Sequence, residues 1–282
     1  MMESSKAPAA QTYWYFVFAD PANGQEARFN EWYEEQHQRD VVSIPGFVSV
    51  QRFVINDIPL YKEMEVKLPK YLAVYKVTTD DIDGVFKEVS ARLRTGQTKM
   101  DPCFDAGSYV GYTYRSFRSF VDGAGGEAPD TQPGRKDLFY HVVFTPFKEG
   151  LEEQFNEIYD KFHAPELAAN PAFTGAQRMV LARPDTARIK ATKYLALFTI
   201  ETSDMAAVKK VAVMGGTPNP GQDYKATRGY TYRALGPAVD GDTERADRAR
   251  ACAAVQKPQT EGGKRHFDSV RALLWGHRYP LN

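Results

Sequence analysis

Phe29-Asn30-Glu31-Trp32-Tyr33-Glu34-Glu35-Gln36-His37, followed by Pro45-Gly46-Phe47 and by Gln51-Arg52, is the stretch whose reading decides the fold. It recurs 126 positions later as Phe155-Asn156-Glu157-Ile158-Tyr159-Asp160-Lys161-Phe162-His163, with Pro171-Ala172-Phe173 and Gln177-Arg178 behind it. An ungapped recurrence of this kind marks an internal duplication, and it organises everything around it.

Upstream of the first copy, Tyr13 to Phe18 is an aromatic and β-branched run that reads as a strand. Asp20-Pro21-Ala22-Asn23-Gly24 breaks it. From Gln25 to Ser43 the apolar spacing is helical, and Pro45-Gly46 ends the helix. Phe47 to Ile55 then alternates as a strand, with Phe47, Gln51 and Phe53 on one face and Val50, Arg52 and Val54 on the other. Tyr71 to Val77 is a third strand. A helix capped by Asp80 or Asp81 and stopped by Gly96 follows, and Tyr109 to Phe117 is a fourth strand. The order β-α-β-β-α-β is that of a ferredoxin-like unit. It repeats from Leu138 onward, and Gly111-Tyr112-Thr113-Tyr114-Arg115 returns as Gly229-Tyr230-Thr231-Tyr232-Arg233. The chain therefore divides into a first repeat (1–121), a linker rich in Gly, Pro and Asp (122–136), a second repeat (137–239) and a C-terminal extension (240–282). The extension reads as two helices, Thr243 to Gln256 and His266 to Trp275, packed over a seam or acting as a lid.

The bulk properties exclude several classes. Of 282 residues, 43% are apolar and 26% charged, which is globular, and the formal net charge is zero. No basic block points to nucleic acid, and no run reaches the length of a membrane span. The two cysteines make neither a disulfide framework nor a metal site, and the five histidines lack metal-binding spacing. With no apolar leader, the expectation is a cytoplasmic protein without metal or organic cofactor.

Candidate chemistry lies on the duplicated helix. Asn30, Tyr33, His37 and Asp40 share a face at offsets of three and four, as do Asn156, Tyr159, His163 and Glu166. The histidines and tyrosines are the candidate catalytic residues, and Asp40 and Glu166 the carboxylates that would orient each imidazole. Arg52 and Arg178 are candidates to bind a substrate anion, with Asn30 and Asn156 beside them. Tyr114 and Tyr232, and Tyr15 on the first strand, are further candidate contacts. His141, which aligns with Tyr15, adds a titratable group to the second half. For each of these, packing at the edge of the core is the competing structural account.

The pattern Asn-x-x-Tyr-x-x-x-His, then Pro-Gly-Phe and a strand, resembles the dimeric α+β barrel superfamily, above all its EthD-like branch. Here the residue before the histidine is Gln36 or Phe162, where that branch often has Glu, and Ala172 replaces its Gly. The resemblance implies that two ferredoxin-like units pack sheet to sheet as an α+β barrel, here within one chain, with homodimerisation still open. It also implies pockets between helices and sheet. Activities in the superfamily include polyketide cyclases, muconolactone isomerases and quinol-type monooxygenases, and some relatives bind haem.

Together these readings favour a cofactor-independent lyase, cyclase or isomerase that uses histidine acid–base chemistry on a small aromatic or polyketide-like substrate. A cofactor-less monooxygenase of phenols, a haem protein and a non-catalytic stress-responsive or ligand-binding module are the alternatives. Differences between the copies predict two unequal pockets, with the second favoured because His141 would join His163.

Overall fold

The computed structural model describes residues 9–60, 67–120, 138–169, 172–184, 189–212 and 216–255. The expected linker 122–136, Pro171 and the expected helix His266 to Trp275 lie outside the described residues.

The first half runs β1 (Gln11–Ala19), α1, β2 (Phe47–Ile55), β3 (Tyr71–Thr79), α2 (Ile82–Thr95) and β4 (Val110–Phe120). The second runs β5 (Leu138–Phe144), α3, β6 (Phe173–Pro184), β7 (Tyr194–Glu201), α4 (Met205–Ala212) and β8 (Arg228–Ala234). A two-residue strand, β9 (Val239–Asp240), and a helix, α5 (Gly241–Val255), complete the described chain. Helix α1 has three consecutive parts, Glu26–Trp32, Tyr33–His37 and Gln38–Val42, and α3 has Glu152–Ile158, Tyr159–His163 and Ala164–Ala168.

Within each half the strands pair in the order β4-β1-β3-β2 and β8-β5-β7-β6. The halves then join edge to edge, β4 to β6 and β2 to β8, so the described strands close an antiparallel barrel of eight. Closure satisfies the strand edges that an open sheet would leave exposed. Alternation along each strand sends one set of side chains inward. Trp14, Phe16, Phe18, Phe53, Tyr112 and Tyr114 of the first half meet Tyr140, Val142, Phe144, Leu197 and Tyr232 of the second in one buried cluster. Phe53 stacks on Tyr140 across the seam with ring centres 4.3 Å apart. The outward faces make two further cores, one under α1 and α2 and one under α3 and α4.

Local chemistry explains the element ends. Asp81 caps α2 by accepting the Gly84 N–H at 2.8 Å, and Gly96 at φ 74° ends the helix. Gly46 closes α1 at φ 96°, and a side chain there would meet Val85 at 2.9 Å. Its carbonyl accepts the Thr78 N–H at 2.8 Å, as Ala172 accepts the Glu201 N–H at 2.9 Å. The alternation expected for β2 holds from Ser49 onward, so Gln51 and Phe53 face the barrel interior side and Arg52 the helices. A bulge between Phe47 and Ser49 breaks it, and Phe47 turns to the helix side instead.

Among the described residues, the extension docks on the first half through α5. Arg245 on α5 donates to the carbonyls of Val42, Ile44 and Phe47 at 3.0, 3.3 and 3.0 Å, which caps the C-terminal end of α1. Gly241 lets the two backbones approach: an added Cβ would lie 2.5 Å from the Phe47 carbonyl.

Candidate active site

Each long helix changes pitch where the tyrosine and histidine stand. The Gln38 N–H reaches back five residues to the Tyr33 carbonyl, and the Ala164 N–H does the same to Tyr159. Such π turns recur at functional sites because they re-aim side chains. They bring Tyr33 and His37 edge to face at 4.9 Å, and Tyr159 and His163 at 4.8 Å.

Beneath each tyrosine lies a buried arginine in a duplicated network. Arg52 sits 4.4 Å from the Tyr33 ring, donates to Asn30 Oδ1 at 2.7 Å and pairs with Glu34 at 3.4 Å. Asn30 Nδ2 donates to the Tyr71 hydroxyl at 3.0 Å, and that hydroxyl donates to Glu26, which also holds Lys70. In the second half Arg178 sits 4.4 Å from Tyr159, donates to Asn156 Oδ1 at 2.8 Å and pairs with Asp160 at 2.5 Å. Asn156 donates to Tyr194 at 3.1 Å, Tyr194 to Glu152 at 2.7 Å, and Lys193 pairs with Glu152 at 2.6 Å. Both arginines and both asparagines, expected as substrate contacts, are thus engaged with protein groups, and Arg178 is 1% exposed. A buried guanidinium needs these partners to offset its desolvation.

Tyr71, Tyr194, Glu26, Glu152, Lys70 and Lys193 were not among the expected site residues. A signal for them exists: Lys70-Tyr71-Leu72-Ala73 recurs as Lys193-Tyr194-Leu195-Ala196, at a spacing of 123 rather than 126.

The histidines differ. The rings of both His37 and His163 are half-buried, and among the described residues neither Nδ1 has a hydrogen-bond partner. Burial, helped by Arg52, lowers His37 to about 3. Burial also lowers His163, while Glu166 pulls it back up and Arg178 pushes it down. Asp40 plays no such part for His37. Its carboxylate accepts Arg248 from α5 at 2.8 Å, which corrects the expectation that it orients the imidazole. The docking of α5 is what directs Asp40 elsewhere. Glu166 accepts the Thr217 N–H at 2.6 Å and the Thr217 hydroxyl at 2.5 Å, and so acts on His163 through its charge.

His141, expected to join His163, lies on β5 against Phe198, with ring centres 6.2 Å apart. It is 1% exposed, and its Nδ1 faces Thr231 Oγ1 on the neighbouring strand at 3.0 Å. Burial lowers it to about 3. Tyr15 bonds the Tyr109 hydroxyl at 2.7 Å in the core under α1 and α2. Tyr114 and Tyr232 point into the barrel, on the opposite face of the sheet from the histidines, which corrects their assignment as substrate contacts. Tyr114 donates to the Thr192 carbonyl and Tyr232 to the Pro69 carbonyl, each at 2.9 Å. Each therefore fixes the backbone just before the Lys-Tyr pair of the other half.

The space under α3 and α4 is packed by Phe139, Phe155, Phe173, Phe198, Met205 and Val208, so the residues present do not fit a haem there. Among the described residues no group of three or more His, Cys, Asp or Glu could hold a metal ion. A surface groove of about 720 Å³ runs over the outer side of this half, lined by Phe117, Arg118, Glu152, Asn156, Asp160 and Lys161. No described helix is long and apolar enough to cross a membrane.

No family model matches the sequence, and no curated protein matches it. Among solved structures, an anthrone oxidase-like protein is similar over 85% of this chain and 96% of its own, at 12% identity and a TM-score of 0.52. Candidate monooxygenases from Fusobacterium nucleatum subsp. nucleatum and Lactobacillus acidophilus NCFM are each 9% identical over 82% of this chain. They are matched over 95% and 97% of their own lengths, with TM-scores of 0.49 and 0.45. The likeness is one of fold, the α+β barrel.

Proposed function

We propose that the chain is a tandem duplication of a ferredoxin-like, EthD-like unit whose second half carries a histidine acid–base site. The substrate is a small aromatic or polyketide-like molecule, and the reaction a lyase, cyclase or isomerase step that needs neither metal nor organic cofactor. The observation that carries this reading is His163: its Nδ1 lacks a partner among the described residues, and the Glu166 carboxylate acts on it electrostatically.

An imidazole held below its ordinary pKa is neutral near pH 7 and can accept a proton from a phenol or an acidic C–H. Glu166 then stabilises the imidazolium that forms, and Tyr159, at the ring edge, is the donor for developing charge on the substrate oxygen. General acid–base catalysis of this kind contributes about 10² to 10⁴ in rate. His37 has no free carboxylate in the equivalent place, because Arg248 holds Asp40. The first half is therefore the structural partner.

The test is proton exchange. Small phenols and polyketide-like aromatic acids are incubated with the protein in D2O without oxygen, and deuterium uptake is followed by NMR. His163-dependent exchange is expected. Exchange that is undiminished in His163→Ala sinks the reading, and turnover that needs oxygen moves the chain to the monooxygenase class.

A further inference from the structure

Gly216 and Thr217 follow α4 and lie against the C-terminal part of α3. Both Thr217 donors, N–H and hydroxyl, go to the Glu166 carboxylate. Gly216 closes over the imidazole so tightly that an added Cβ would lie 2.7 Å from Glu166 Oε2 and 3.3 Å from His163 Nδ1. The buried ring nitrogen, which has no hydrogen-bond partner among the described residues, is thus the one that this backbone covers. A polar atom shut away without a partner is costly, so its natural complement is a group admitted from outside.

We propose that Gly216 and Thr217 form a strap over His163, with Glu166 as its catch, and that this pair decides what reaches Nδ1. The catch is strong but small. Two hydrogen bonds to one carboxylate hold the strap, and the carboxylate itself is exposed. A substrate that bonds Nδ1 displaces the Gly216 backbone, and Glu166 keeps its charge beside the imidazole throughout. The first half has no such catch, since its equivalent acid is bound to α5 through Arg248. There His37 is walled instead by Trp32, with ring centres 4.5 Å apart.

The inference rests on His163 being the working histidine, but its test reads access rather than turnover. Thr217→Val removes the hydroxyl donor and leaves Glu166 charged. Gly216→Ala adds a methyl that the flexible Glu166 side chain must yield to. Amide hydrogen exchange at Thr217 and NMR titration of all the histidines are measured in each. The weakened catch predicts about tenfold faster exchange of the amide at position 217 in both variants. In Thr217→Val the His163 titration is expected to move up toward its ordinary value as water reaches Nδ1, while His37 and His141 stay where they are. A His163 titration that does not move in Thr217→Val overturns the strap, even with faster exchange. Unchanged exchange at Thr217 in both variants overturns the catch. Movement of His37 and His141 together with His163 reports a general loosening and likewise counts against it.

Discussion

The guanidinium of Arg178 lies 4.4 Å from the centre of the Tyr159 ring, and Arg52 stands at the same 4.4 Å from Tyr33. Both halves thus hold a cation under an aromatic face, with the asparagine of the helix as its hydrogen-bond partner. Its two carboxylate partners differ. Asp160 is 12% exposed and also receives Arg118 at 2.7 Å, whereas Glu34 is 52% exposed. Truncating one member of a buried ion pair costs about 3–5 kcal/mol, because the other charge is stranded. Arg178→Met strips the buried Asp160 of one of its two cations, Arg118 remaining, so a loss at the lower end, about 3 kcal/mol, is expected. Arg52→Met should cost less, since water can solvate Glu34. Urea unfolding of the two variants checks the order, and equal losses would argue against it.

The tyrosines inside the barrel should behave as latches for the opposite half. Tyr114→Phe and Tyr232→Phe each leave a buried carbonyl, Thr192 or Pro69, without its donor. A cost of about 1–2 kcal/mol is expected for each. Hydrogen exchange should rise next to Lys193 in Tyr114→Phe and next to Lys70 in Tyr232→Phe. The crossing is the informative part: a rise confined to the half that carries the substitution contradicts the assignment.

Removing the cap of α1 should expose the dependence of the first half on the extension. Arg245→Ala deprives three carbonyls of their donor, and a loss of about 1–2 kcal/mol follows from the capping contribution of a cation at a helix C-terminus. Circular dichroism during urea unfolding measures it. Arg248→Ala, whose guanidinium is partly exposed, should cost under about 1 kcal/mol. A larger loss for Arg248 than for Arg245 would contradict this ranking.

Acid should destabilise the protein through His141. Its folded value near 3 lies below the ordinary 6.5, so from about pH 6 downward the unfolded chain binds a proton that the native state does not. The neutral, buried imidazole favours folding above that range, and this contribution is lost as pH falls toward the folded value. One such group gives a slope of about 1.4 kcal/mol per pH unit. His141→Asn should flatten the stability curve between about pH 6 and 4 by that amount. An unchanged slope would mean that the histidine is already protonated in the native state.

Much of the architecture was legible in the residues, because it rests on local rules. The duplicated stretch from Phe29 to Arg52 placed a helix, a turn and a strand. The pair Asp80-Asp81 and Gly96 marked the ends of α2, with Asp81 the one that caps, and the parity of Gln51-Arg52 put one side chain on each face of the sheet. Three things were not legible. The π turn depends on one shifted backbone hydrogen bond and carries no composition signal. The capture of Asp40 by Arg248 joins residues more than 200 positions apart. And Tyr112 and Tyr114 share a face because they stand two apart on one strand, but which face became the barrel interior depended on closure by the other half. The Lys70-Tyr71 and Lys193-Tyr194 pairs escaped only because the loop before them differs by three residues between the halves.

The most direct test of the central claim compares the same proton-exchange or turnover assay in the unaltered protein, His163→Ala, His37→Ala and the double variant. The account predicts a loss of about 10² to 10⁴ in His163→Ala, with His37→Ala within about tenfold of the unaltered protein. The double variant should match His163→Ala. Full activity in His163→Ala, or a loss that follows His37 alone, would contradict it.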